Sequence, residues 1–193
     1  MGLIDGDEEF WGARRPCDSH NMMPAWSVVS RIGLLAMLMV VAACARAGPA
    51  VCSATEDTIF SCGAGKKHIA VCASQGWSAS AGSLQYRFGA EKAAELVLPA
   101  TPGKQPSESA ASGLLTLTGG GGAYLRFSQG DTDYVIFSAV SSNWGEKSGV
   151  TVVKSGKPVA TVKCRGAVRS ELGPELFERR GFAPDAQDFL LPD

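Results

Sequence analysis

The sequence predicts an all-β fold: a small antiparallel β-barrel or sandwich of about eight strands, stabilised by disulfides, with a short C-terminal helix. Three observations lead to this prediction. After residue 47, apolar residues recur at every second position, and no long stripe of helical period appears. Turn residues rich in Gly, Ser and Asn separate these runs at short intervals. Four cysteines occur in the same part of the chain.

The N-terminal region has the composition of an export signal. An apolar run from Ile32 to Cys44 follows Arg31 and leads into small residues, which predicts a signal peptide over residues 22–47. The run is shorter than the roughly 20 apolar residues that a membrane span needs. Residues 1–21 are acidic where a leader is basic, so we expect an upstream extension from a mis-assigned start.

Two cleavage sites compete in this leader. Cleavage before Gly48 would release a soluble protein. Cleavage before Cys44 would leave a diacylated cysteine, and two acyl chains anchor a protein firmly. The predicted location is therefore the periplasm or the secreted fraction, or the outer membrane if Cys44 carries lipid.

The elements follow in order along residues 48–169, the predicted β domain. The predicted strands are Thr58–Cys62, Lys66–Ala73, Leu84–Phe88, Glu95–Leu98, Leu114–Thr118, Ala123–Ser128, Asp133–Val140, Gly149–Lys154 and Lys157–Cys164. Each is expected to bury one face. Thr101–Gly113 is predicted to be an exposed loop, and Gly119–Gly122 an unusually free hairpin tip.

Residues 170–193 form a predicted tail. Pro174–Arg180 has proline at a first helical position, an early acid, late bases and a following Gly181, which predicts one or two helical turns. Leu172, Leu176 and Phe177 are expected to dock this helix on the β domain. The end, Ala183–Asp193, is expected to be loosely held.

An even number of cysteines in an exported domain predicts two disulfides. Three pairings are possible, and we favour Cys62–Cys164 with Cys52–Cys72. The first pair would join the first strand to the last, and the second would pin the N-terminal arm to the second strand. A zinc site is the alternative, but the spacing of these cysteines differs from the usual CxxC pattern.

Charge and catalytic motifs exclude several functions. After residue 47 the basic and acidic side chains are equal in number, which argues against a nucleic-acid partner. His68 is the sole histidine there, and no Gly-x-Ser-x-Gly motif is present. We therefore expect a non-enzymatic monomer without cofactor or metal. An Asp131–Asp133 calcium turn offers too few oxygen ligands.

Aromatic and polar residues on predicted loops indicate a recognition surface. Tyr124 follows the glycine run, while Ser142, Trp144 and Lys147 share one loop. Such aromatic anchors carry much of the binding energy in protein interfaces. The alternative is that Tyr124 and Trp144 are core residues of adjacent strands.

Two segments resemble the membrane-bound inhibitors of c-type lysozyme. Phe60–Val71 is similar to that family's opening cysteine, glycine turn and second strand, and Trp144–Cys164 to its closing segment. The resemblance implies a periplasmic eight-stranded barrel, often lipid-anchored, that inserts loops into the lysozyme cleft. Lys147 would match the inserting lysine near the Trp, and Tyr124 the tyrosine that follows a Ser-Gly loop.

The chain also departs from that family's pattern. Gly120–Tyr124 lacks the inhibitory serine, Asp131–Val140 is an extra strand, and Cys52 and Cys72 are additional. The stretch Cys52–Asp57 equally resembles the opening of a family of exported bacterial proteins of unknown role.

These observations predict an exported, non-enzymatic binding module whose partner is an envelope protein, with a lysozyme-like hydrolase as the specific candidate. One alternative is an envelope hydrolase acting on carbohydrate through acids such as Glu146 or Asp131. The other is a structural or assembly protein.

Overall fold

A computed structural model describes residues 48–101 and 103–192, so the predicted leader, the upstream extension and Cys44 lie outside the described residues. The described residues form ten strands and two short helices. These are β1 Glu56–Ala64, β2 Lys67–Ser74, β3 Leu84–Ala90, β4 Ala93–Leu98, α1 Pro106–Ser109, β5 Ala111–Leu117, β6 Gly120–Gln129, β7 Thr132–Ser141, β8 Gly145–Lys154, β9 Lys157–Lys163, β10 Arg165–Ser170 and α2 Pro174–Arg180.

The strands form two antiparallel sheets of five. The first sheet has the order β10-β1-β2-β3-β4 and the second the order β5-β6-β7-β8-β9. The all-β prediction is confirmed, and among the described residues the architecture is two sheets rather than a closed barrel. Tight turns join neighbouring strands; Ser155 and Gly156, both at positive φ, make the turn between β8 and β9.

The two sheets meet at an aromatic core. Cross-strand partners place Leu125 of β6, Ile136 of β7 and Val150 of β8 on one face of the second sheet. On the same face, Tyr134 and Phe127 contact Tyr86 of the first sheet, with ring centroids 5.8 and 5.9 Å apart. This inner face carries the main core.

The second sheet is also covered on its outer face. Tyr124, Val135, Phe137 and Val153 form a buried cluster there, against which Phe189 and Leu191 of the C-terminal segment pack. The expectation that the end, Ala183–Asp193, is loosely held is therefore wrong for residues 183–192, which the structure describes.

This coverage also explains why strands bury both faces, contrary to the sequence expectation. In β6 every residue from Ala123 to Phe127 is buried. A strand between a facing sheet and a docked segment has no solvent face to keep polar.

A single residue, Cys164, joins β9 of the second sheet to β10 of the first. It forms a disulfide with Cys62 on β1, and Cys52 forms one with Cys72 on β2. Both predicted pairings are confirmed. Structural disulfides form in oxidising compartments, so this domain has the chemistry of a non-cytoplasmic protein.

The described residues contain one strand more than the nine segments predicted, because β10 continues the chain beyond Cys164. The predicted loop over residues 101–113 contains α1 and the start of β5. Leu176 and Phe177 of α2 are buried, as expected. In the part of the chain that the structure describes, no helix has the length and apolar character to cross a membrane.

Candidate functional site

Two hairpin turns lie side by side at one end of the second sheet. The backbone N–H of Ser142, after β7, donates to the carbonyl of Gly119, after β5, at 3.0 Å. The Ser141 hydroxyl donates to the Thr118 carbonyl, also at 3.0 Å, and accepts from the Asn143 N–H at 3.2 Å. These bonds hold the β7–β8 turn in one conformation against its neighbour.

Trp144 and Lys147 meet at this turn. The Lys147 ammonium lies 4.8 Å from the centre of the Trp144 ring, within range of a cation–π interaction. The Trp144 side chain is 37 % exposed. The structure thus brings three predicted residues, Ser142, Trp144 and Lys147, to one rigid tip, with the aromatic face and the charge already paired.

The glycine run beside this tip is not a free loop, which corrects the sequence expectation. Gly119 alone lies in the turn, at φ 71°, and Gly120–Gly122 belong to β6. A Cβ on Gly120 would overlap the carbonyl of Val140. These glycines therefore allow close approach of β6 and β7 rather than mobility.

A cleft of about 360 Å³ opens next to the tip. One wall carries the small and polar side chains of β6–β8, and the other is formed by β10 and by Leu172, two residues after it. The lining residues that matter here are Ser138, Glu146, Ser148, Val168, Ser170 and Leu172. The Ser148 hydroxyl donates to the Ser138 hydroxyl at 3.2 Å. The volume falls within the usual range of ligand pockets.

The cleft exists because the chain leaves one sheet for the other. The Cys164 N–H donates to the Ser148 carbonyl at 2.8 Å, after which β9 gives way to β10. Opposite, the Glu171 N–H donates to the Ile59 carbonyl at 2.9 Å. Antiparallel pairs alternate, so the backbone groups of Val168 and Ser170 point away from β1. The cleft therefore offers backbone donors and acceptors as well as hydroxyls.

Tyr124 lies elsewhere, and its predicted place on an exposed loop is wrong. It is 3 % exposed, in β6, and its ring covers Gly113 of β5, where a Cβ would overlap it. Its hydroxyl donates to the Gln187 carbonyl at 2.9 Å. Burial raises the pKa of this phenol, nearby Asp185 adds to the increase, and Arg126 opposes it. The alternative interpretation, that Tyr124 is a core residue of a strand, is therefore correct.

Sequence reasoning missed Arg126, the most deeply buried charge on the outer face. Its guanidinium donates to Asp185 at 2.7 Å and to Asp133 at 3.1 Å, and Arg126 and Asp185 are each 5 % exposed. Burial acts to lower the pKa of Arg126, but the hydrogen bond and charge of Asp185, aided by Asp133, raise it overall. The sequence feature that could have revealed Arg126 is its position as a charged residue within an otherwise apolar strand.

The acids considered for a hydrolase do not form a pair. Asp131 lies in the β6–β7 turn and Glu146 at the start of β8, so the ten residues of β7 separate them. A strand of that length spans about 33 Å, beyond the 5–10 Å of glycosidase pairs. Within residues 48–101 and 103–192, no group of three metal-binding side chains is present.

Comparison with family models, with curated proteins and with solved structures gives no match for this chain.

Proposed function

We propose that this domain is an exported, non-enzymatic binding module that binds a partner protein through the β7–β8 turn. The observation that carries the proposal is the pair formed by exposed Trp144 and half-buried Lys147, held by two interlocked turns beside an open cleft. Rigid aromatic anchors lose little conformational entropy on binding, so they supply much of the affinity of an interface.

A lysozyme-like hydrolase is the specific partner that we propose, as the family resemblance suggests. A narrow turn tipped by a cation suits a concave site that contains carboxylates. Glycoside hydrolases place two acidic side chains in such a cleft. In this proposal Lys147 approaches those carboxylates while Trp144 covers the rim.

The distribution of charge supports an acidic contact surface. The domain is neutral as a whole, but residues 157–170 contain Lys157, Lys163, Arg165 and Arg169 and no acid. A locally positive segment favours association with an acidic cleft and makes the association rate depend on salt.

The test is inhibition of muramidase activity by the purified oxidised domain, with c-type, g-type and bacterial lysozymes assayed separately. Trp144→Ala and Lys147→Ala should each weaken inhibition by about 30-fold or more, the effect of losing about 2 kcal/mol at an interface anchor. Lys66→Ala removes an exposed lysine from the β1–β2 turn and serves as the matched control.

Two results separate the general proposal from the specific one. If no lysozyme is inhibited at micromolar concentration, the hydrolase partner is wrong. If, in addition, a pull-down from an envelope extract recovers the same proteins with wild type and with Trp144→Ala, the tip is not the binding surface.

A further inference from the structure

We propose that the outer face of the second sheet is a peptide-recognition groove. The ligand is an extended segment of a partner protein that carries an acidic residue four positions before an aromatic residue. In the structure the chain's own C-terminal segment fills the groove, and the partner segment would displace it. We call this surface the tail groove; it is formed by Ser112, Leu115, Tyr124, Arg126 and Phe137. This inference is independent of the proposed function of the β7–β8 turn.

The acid-binding end of the tail groove is built by the sheet itself. Arg126 is held by Asp133, its neighbour on β7, and Asp133 in turn accepts from the Ser128 hydroxyl at 2.6 Å. None of these three residues belongs to the tail. The remaining guanidinium edge faces Asp185 of the tail at 2.7 Å. A guanidinium fixed in this way is pre-organised for an incoming carboxylate.

The aromatic-binding end is an apolar pocket on the same face. The Phe189 ring packs against Tyr124, with ring centroids 5.3 Å apart, and against Phe137 at 6.0 Å. Leu115, Val135, Ala139 and Val153 complete the buried cluster around it. The sheet thus contacts three side chains of the tail, Asp185, Phe189 and Leu191, of which Asp185 supplies the charge and Phe189 the aromatic ring.

The groove also recognises the backbone between these two anchors. The Tyr124 hydroxyl donates to the Gln187 carbonyl at 2.9 Å, and Arg126 donates to the same carbonyl at 3.4 Å. The Asp185 N–H donates to the Ser112 carbonyl at 2.6 Å, and the Ser112 hydroxyl donates to the Ala183 carbonyl at 3.2 Å. Any extended peptide can make these backbone contacts, so the acid and the aromatic provide the specificity.

The tail can leave without disturbing either sheet. It begins after α2, where Gly181 ends the helix at φ 77°, and it joins the sheet by a single bridge between Ser112 and Pro184. Among the described residues no strand ladder includes the tail, and Ala186, Gln187 and Asp188, which lie between its two anchors, are exposed. Terminal segments that lie outside the strand ladders open at a lower free energy than the body of a protein.

The experiment uses the oxidised protein and a fluorescent peptide of residues 183–193 as the probe. In the receptor variant Asp185→Asn/Phe189→Ala, both anchors of the resident tail are weakened. The peptide should bind this variant at least about tenfold more tightly than wild type, because an attached tail competes at millimolar effective concentration. A peptide carrying the same two substitutions is the matched control and should not bind.

A second receptor tests the groove itself. Adding Tyr124→Phe to the double variant removes the hydroxyl that donates to the Gln187 carbonyl. The affinity of the peptide for this receptor should therefore fall several-fold. If the double variant does not fold, Phe189→Ala alone is the receptor, and the same order of affinities is expected. Equal binding of the peptide to wild type and variant, or equal binding of the two peptides, overturns the proposal.

The nature of the occupant is tested separately. Selection from a random peptide library on the double variant should enrich an acid four residues before an aromatic; enrichment of unrelated sequences contradicts the assignment. Size-exclusion chromatography of wild type should give a monomer at all concentrations. A concentration-dependent dimer with exchanged tails would assign the groove to a second copy of this chain instead of a partner.

Discussion

A buried arginine shows how one residue determines the position of a whole segment. Arg126 lies in β6, yet its strongest partner, Asp185, is 59 residues away along the chain. A buried ion pair contributes little net stability when complete, but loss of one partner leaves a charge without compensation. The main effect of the intact Arg126–Asp185 pair is therefore to fix the position of the tail, and its net contribution to the stability of the domain is small.

Asp185→Asn should lower the free energy of unfolding by about 3 kcal/mol, because Arg126 loses its best charge partner in a buried position. Urea denaturation of wild type and variant measures the difference. Asp188→Asn changes an exposed acid three residues away and should be near neutral. Equal loss in both variants would contradict a specific role for the buried pair.

Glu56 gives the domain a pH-dependent contribution. Burial acts to raise the pKa of Glu56, but hydrogen bonds from Arg87 and from the Ser53 N–H, with the charge of Arg87, lower it below its ordinary 4.5. Because the folded pKa is depressed, the contribution to stability is present above pH 4.5 and is lost as the pH falls through the folded pKa.

Unfolding free energies measured between neutral and acid pH should show this directly. Wild type should exceed Glu56→Gln at neutral pH, and the gap should close as the pH falls below 4.5. A constant gap across the whole range would mean that the carboxylate charge is not responsible.

At the scale of elements, the glycine run makes β6 and β7 an unusually close pair. Gly120→Ala places a Cβ against the Val140 carbonyl, and backbone cannot move aside as a side chain can. We expect a loss of about 1–3 kcal/mol in thermal or urea unfolding. Gly48→Ala, where the space around the Cβ is open, is the control and should be neutral. A neutral Gly120→Ala would contradict the close packing.

Local pattern predicted the strands well, because alternation, turn residues and cysteine count each report on a few neighbouring residues. The strand Ala123–Ser128, the helix Pro174–Arg180 and both disulfides follow from such signals. The tail docking does not, because it depends on contacts such as Tyr124 to Gln187, 63 residues apart. The alternation of residues in β6 defines the two faces of the strand, but it does not show which segment covers the outer face.

The same limit applies to the candidate site. The tip residues Ser142, Trp144 and Lys147 were found because they are neighbours in sequence. The cleft was not, since one wall comes from β6–β8 and the other from β10 and Leu172, which belong to different sheets and to distant parts of the sequence.

For the whole molecule, the two disulfides differ in the length of chain that they close. Cys62 and Cys164 are 102 residues apart, whereas Cys52 and Cys72 are 20 apart. In the chain-entropy model, closing a loop of about 100 residues contributes about 4.7 kcal/mol and a loop of about 15 contributes about 3 kcal/mol.

The variant Cys62→Ser/Cys164→Ser should therefore lower the unfolding midpoint more than Cys52→Ser/Cys72→Ser. Calorimetry of both variants at the same pH measures the order. The reverse order would indicate that local packing of the N-terminal arm outweighs the long loop.

The crossover at Cys164 has a mechanical consequence. Tension applied between residue 48 and the C-terminal end would pass along β1 to Cys62 and directly through the sulfur bridge into β10. Residues 73–163, up to about 3.6 Å of contour each when extended, would carry no load, because the two bridges bypass them. In a single-molecule pulling experiment the oxidised protein should thus lengthen only by the residues outside this loop, and reduction should release the loop.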